Sequence, residues 1–96
     1  LLDTADILYV TTERPYLALV TEYGRYLYAS SLRTFQEMHL DHKFVRIHKS
    51  TIVQTTCITR FRSRQNGDYD VIMQNGDIVR ASRNYNSFFA QATGQT

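Results

Sequence analysis

Residues 58–81, ITRFRSRQNGDYDVIMQNGDIVRA, decide the fold: two Asn-Gly pairs, Asn66-Gly67 and Asn75-Gly76, separate three runs rich in β-branched and aromatic side chains. An Asn-Gly pair between such runs predicts a hairpin with a two-residue turn, so the segment is expected to form a three-stranded antiparallel meander. Two-residue turns set the register. Ser63 then falls opposite Asp70, Arg62 opposite Val71 and Phe61 opposite Ile72, with Ile72 opposite Val79 and Val71 opposite Arg80. One face collects Phe61, Ile72, Val79 and Ala81 and is expected to be core. The other collects Arg60, Arg62, Arg64, Tyr69, Val71, Met73, Ile78 and Arg80, an apolar patch rimmed by four arginines. That second face is open to another strand pair, a partner, DNA or solvent. Ile58 and Phe61 are three apart, so burying both requires a bulge or a late strand start.

Working outward, the N-terminal runs Asp6–Thr11, Tyr16–Glu22 and Arg25–Ala29 also read as strands, with a tight turn at Tyr23-Gly24. Pro15 predicts a loop over Thr12–Pro15, with Glu13, Arg14 and Tyr16 near its tip. Ser30 or Ser31 offers an N-cap, and Leu32, Phe35 and Met38 then share one side of a short helix that packs on the sheet. Asn84–Ala92, with Tyr85, Phe88 and Phe89, is expected to fold back as a short helical or irregular segment. The fold class is mostly β, with antiparallel strands and one or two short helices.

A chain of 96 residues is one domain with a modest core. It carries no initiating Met, no secretory leader and no apolar run near the roughly 18 residues needed to span a bilayer. It reads as a soluble piece cut from a longer chain. Cys57 is the lone cysteine, so no internal disulfide forms, and a reducing cytoplasm is the simplest compartment.

The net charge of +2 is unevenly placed. Residues 1–41 carry six acids against three arginines, whereas residues 42–64 carry Lys43, Arg46, Lys49, Arg60, Arg62 and Arg64 against none. Nine of the eleven cations are Arg, whose planar fork matches phosphate and guanine edges. The stretch Phe44–Val53, FVRIHKSTIV, and the later Ser82-Arg83-Asn84-Tyr85 concentrate cations beside the hydroxyls of Ser50, Thr51 and Ser82. Donors without a nearby base or carboxylate suit an anionic duplex better than hydrolysis. A strand burying Val45 and Ile47 places Arg46 and His48 together on its other side. His48 is either a structural hydrogen-bonding residue or a DNA contact, and Arg46 divides between an internal salt bridge and a phosphate.

The order DILYV, loop, Gly hairpin, SSLRTF, FVRIHKSTIV, Ile58, hairpin and QNGDIVRASRNY resembles a LytTR-type DNA-binding domain, an effector module of bacterial response regulators. The resemblance covers residues 6 to 89 of the single domain, 1–96, and its most specific parts are FVRIHKS and SRNY. It implies an elongated, sandwich-like antiparallel β fold, and a sequence-specific transcription factor of a two-component system in which this chain would be the C-terminal effector part. Its loops would enter successive major grooves of direct repeats in double-stranded DNA, as a dimer on the DNA, downstream of a receiver or other sensory domain. It also implies base contacts from Lys49 and Arg83, phosphate contacts from Ser50 and Asn84, and a third loop contact from Arg14 or Tyr16; Arg46 and His48 complete the candidate set. Gln54 stands where the family pattern has asparagine, which puts in doubt a local cap of the turn presenting Lys49.

Catalysis finds no support in the residues. No Ser or Cys nucleophile has a base and orienting carboxylate in context, and three of the four glycines fall in hairpin turns rather than a phosphate-cradling loop. His39 and His42, with Asp41 between, have helix-end spacing for a metal but lack an evident third ligand. No cofactor or metal is expected. The competing reading is an interaction module whose arginine-rimmed face binds an acidic partner or a second copy.

Overall fold

A computed structural model describes residues 2–39 and 43–85. Eight strands and one helix follow in order: β1 (Tyr9–Glu13), β2 (Tyr16–Thr21), β3 (Gly24–Tyr28), α1 (Leu32–Met38), β4 (Phe44–His48), β5 (Thr51–Gln54), β6 (Ile58–Ser63), β7 (Tyr69–Met73) and β8 (Ile78–Ala81). The first five strands form one antiparallel sheet in the order β3-β2-β1-β5-β4, and the last three form a second in the order β6-β7-β8. The body is elongated, 38 × 24 × 24 Å.

Strand alternation explains why the larger sheet lies in the middle. Val10, Leu17, Leu19, Phe44 and Ile52 project to one side, where they bury Leu32 and Phe35 of α1. Tyr9, Val20, Ile47 and Val53 project to the other, against Val71, Met73 and Ala81 of the second sheet. Burying a side chain such as Phe35 contributes about 1.5–3 kcal/mol. The Ser31 hydroxyl caps α1 by accepting from the Thr34 N–H at 3.1 Å, as the N-cap expectation requires. Met38, expected on the buried side, is 60% exposed because the helix ends there.

The hairpin register differs from expectation by one residue. Phe61 pairs with Val71, Arg62 with Asp70, Val71 with Val79 and Ile72 with Ile78. A two-residue type I′ turn needs positive φ at both central residues, and here only the glycines have it, Gly67 and Gly76 at +93° each. The loops are instead three residues long. Arg64 N–H donates to Asp68 O at 2.7 Å and Met73 N–H to Asp77 O at 2.8 Å, while the Asn66 and Asn75 side chains each accept from the N–H two residues on at 3.0 Å. A one-residue slip against each neighbour reverses the faces of β7 and leaves those of β6 and β8 as expected. Val71 and Met73 are therefore buried, Phe61, Tyr69 and Val79 pack on the same core, and Ile72 turns outward with the exposed Ile78. The expected reconciliation of Ile58 with Phe61 is present as an irregularity between Ile58 and Arg60.

Two other expectations change. The Thr12–Pro15 loop shrinks to Arg14-Pro15, whose peptide bond is cis, because β1 continues to Glu13 opposite Tyr16. Gln54 leaves no loosened turn: its amide donates to the Ile7 carbonyl at 2.7 Å and the Ala5 carbonyl at 3.3 Å, at the opposite end of β5 from Lys49. Phe88 and Phe89, with the rest of the expected C-terminal segment beyond Tyr85, lie outside the described residues.

Candidate nucleic-acid interface

The turn between β4 and β5 is built by its own side chains. Register shifts between Arg46 and His48, so the strand does not simply alternate into the turn. His48 Nδ1 accepts from the Ser50 N–H at 3.2 Å and lies 2.9 Å from the Ser50 hydroxyl, which in turn sits 3.4 Å from Thr51 Oγ1. Because Nδ1 accepts a backbone N–H, the ring proton of the neutral imidazole belongs on Nε2. Arg46 Nε donates to the His48 carbonyl at 3.2 Å and its Nη2 to the Lys49 carbonyl. Arg46 thus closes the turn from beneath through carbonyls rather than a salt bridge. The Lys49 side chain is left exposed at its apex.

The second motif is stitched to the first. Ser82 N–H donates to the Ile47 carbonyl at 2.7 Å, placing the 3₁₀ turn Arg83–Tyr85 against β4. Within it the Ser82 hydroxyl accepts from Asn84 N–H at 3.2 Å, and the Arg46 guanidinium lies 5.9 Å from the centre of the Tyr85 ring. His48, Lys49, Ser82, Asn84 and Tyr85 consequently line one shallow depression. Distance in sequence hides this arrangement.

Lys49 also borders a second groove. Thr12 N–H donates to the Ser50 carbonyl at 3.1 Å, which brings the Arg14-Pro15 turn beside the Lys49 turn. Arg14, Tyr16, Arg33, Arg46 and Lys49 line this groove with Ser30 and Ser31, over a floor of Leu17 and Leu32. Arg33 was not foreseen, since its helical position carries no local signal, and its pair with Glu37 at 3.3 Å is highly exposed. Such a pair contributes on the order of 0.3–0.5 kcal/mol and yields readily to a phosphate.

Arg83 stands apart from the depression. Its N–H donates to Asp68 Oδ1 at 2.8 Å and its Nη1 to the Asn66 carbonyl at 3.2 Å, so it leans on the β6–β7 hairpin. The Arg83 N–H is the foremost cause holding the Asp68 carboxyl below the usual range; partial burial opposes it, and Asn66, Arg80 and Arg83 assist.

The arginine-rimmed face is partly neutralised. Asp70 points outward at its centre, 3.0 Å from Arg64, 3.5 Å from Arg80 and 3.6 Å from Arg62. Partial burial would raise its pKa, but the Arg64 hydrogen bond and the charges of Arg64, Arg80 and Arg62 hold it below the ordinary value. Arg80 also reaches Asp68 at 3.6 Å. By contrast, Arg14 and Lys49 have no carboxylate partner among the described residues. Unneutralised charge therefore lies at the grooves around Lys49, and also at Arg60 on the arginine-rimmed face, which has no carboxylate partner among the described residues.

No three metal-binding side chains cluster among the described residues. His39 stacks on Phe35, with ring centres 4.4 Å apart, while Asp41 and His42 lie outside those residues. No described helix is long and apolar enough to cross a membrane.

Comparison with known proteins follows the same lines. The LytTr DNA-binding domain family model matches residues 1–94. Sensory transduction protein LytT of Bacillus subtilis (strain 168) is 31% identical over 85 residues, which span 88% of this chain and 35% of that protein. A solved LytTr DNA-binding domain of a Bacillus cereus response regulator superposes with a TM-score of 0.85 at 23% identity, over 97% of this chain and 85% of that one.

Proposed function

The chain belongs to the LytTr DNA-binding domain family, and on that premise we propose that it is the sequence-specific duplex-binding domain of a bacterial transcriptional regulator. The observation that carries this reading is the hydrogen bond from Ser82 to Ile47, which sets the turn of the second motif against the strand that carries the first. Lys49, at the apex of its braced turn, reaches a base edge in the major groove. Arg83 presents a guanidinium fork suited to guanine O6 and N7, the pairing that best discriminates a base. The Asn84 amide and the His48 Nε2–H take phosphates, Ser50 orients the imidazole, and Arg14, Tyr16 and Arg33 hold the backbone along the adjoining groove. Phosphate contacts set register and base contacts set sequence, so this division yields a reader rather than a nonspecific binder.

Few base contacts fit on a module this small, which favours two copies on direct repeats. The chain spans 35% of the length of the curated relative it matches, leaving room in such a protein for a receiver or other sensory domain that arranges the copies in the cytoplasm.

The deciding experiment is selection from a random duplex library at about 0.15 M salt, where distant exposed charges are largely screened. Wild type should enrich a short repeated element, and Arg83→Ala should lose about 1–3 kcal/mol of discrimination at one base position. Enrichment unchanged by Arg83→Ala would remove Arg83 from the reading role. Absence of any enrichment by wild type would overturn sequence-specific binding.

A further inference from the structure

The β6–β7 hairpin tip does more than reverse the chain. Its Asp68 carboxylate accepts the Arg83 backbone N–H at 2.8 Å, and the Asn66 carbonyl accepts Arg83 Nη1 at 3.2 Å. Asp68 is itself fixed, by the Asn66 amide at 3.3 Å and by Arg80 at 3.6 Å. A side chain on Gly67 would place its Cβ 3.4 Å from Arg83 Cβ, so the tip and Arg83 are in close contact. The Nε and Nη2 donors of Arg83 carry no bond among the described residues. One edge of the guanidinium is anchored while the other remains free, and a bidentate pair with guanine requires two adjacent donors held in one plane.

We propose that Asp68, with the Asn66 carbonyl, is the positioning element that sets the sequence preference of Arg83. The proposal rests on Arg83 being a base reader. Holding the loop by its backbone and the fork by one nitrogen fixes the rotamer before DNA arrives, so ordering the side chain is not charged against recognition. An acid beside a DNA-reading arginine otherwise opposes binding. Its presence there is explained if it orients rather than attracts.

Charge and positioning separate in two variants. Asp68→Ala and Asp68→Asn remove the same negative charge, but only Asn keeps an oxygen to accept the Arg83 N–H. Both should bind random duplex slightly more tightly than wild type. On the element selected by wild type, Asp68→Ala should lose most of the roughly 5- to 150-fold discrimination at the base position that Arg83→Ala identifies. Asp68→Asn should retain most of it. A second, DNA-free reading is the hydrogen exchange of the Arg83 amide, which should be slowed in wild type and Asp68→Asn and fast in Asp68→Ala. Full discrimination by Asp68→Ala, or an Arg83 amide in wild type exchanging at the unprotected rate, would overturn the proposal even though DNA reading stands. Failure of wild type to select any element would overturn the reading beneath it and the proposal together.

Discussion

Lys49 is the residue on which the two grooves converge, and its role depends on a turn that other side chains hold. Lys49→Ala should weaken DNA binding. If Lys49 sits on a phosphate, the loss is equal on selected and random duplex and the dependence of log K on log salt falls by about 1; the base-reading role requires a larger loss on the selected element, measured by titration at several salt concentrations. The contrast between Lys49 and Arg83 shows what single residues disclose in sequence. The resemblance singles out both as candidate DNA readers, and Arg14 or Tyr16 as a candidate loop contact. A structural hydrogen-bonding role for His48 was legible too, but its partner Ser50 and the carbonyl contacts that occupy Arg46 were not. These depend on which donor is free once the backbone has turned, and residue type alone does not carry that information.

At the scale of elements, strands and helix were legible because alternation and capping are local, whereas hairpin register was not. Asn-Gly is compatible with a two-residue I′ turn or with a three-residue loop ending in a positive-φ glycine, and the Asn side chain's bond two residues on accompanies the latter here. That choice moved Val71 and Met73 inward and exposed Ile72's face, so the core is centred differently from the expected one. It also changes what a core substitution does. Phe35 is 2% exposed and stacks edge-on against Phe44 at 5.2 Å between ring centres. Phe35→Ala should cost about 3–5 kcal/mol, a large share of a small domain's total. Phe61 is only half-buried, against Tyr69 at 5.8 Å, and Phe61→Ala should cost less than half as much. Urea denaturation of both variants measures the difference, and equal losses would contradict the observed layering.

Across the whole molecule, the two sheets are joined by apolar packing and by hydrogen bonds, among them Ser82 to Ile47, Gln74 to Glu22 and Tyr9 to Asp77. Tyr9, in the larger sheet, donates to Asp77 at the tip of the β7–β8 hairpin at 2.8 Å. Burial, then the bond to Asp77 and its negative charge, push the Tyr9 pKa from 10.0 up to about 12. The folded form therefore keeps a proton that the unfolded chain releases above its own pKa. Stability from this link is complete below pH 10 and declines as pH rises towards about 12. Asp68 and Asp70 act in the opposite direction: their carboxyls are held below the usual range in the fold, so their contribution is present above it and disappears as pH falls. Thermal midpoints should thus fall at both extremes, for different reasons. Tyr9→Phe should lower stability by about 1 kcal/mol near neutrality through loss of the hydrogen bond, and its curve should converge on wild type at alkaline pH. Asp70→Asn should flatten the acid limb while leaving the alkaline limb unchanged. Parallel curves for Tyr9→Phe and wild type up to pH 12 would mean that the Tyr9–Asp77 bond does not couple the sheets, leaving apolar packing and the remaining bonds, Ser82 to Ile47 and Gln74 to Glu22, to hold the second sheet and its hairpins against the first.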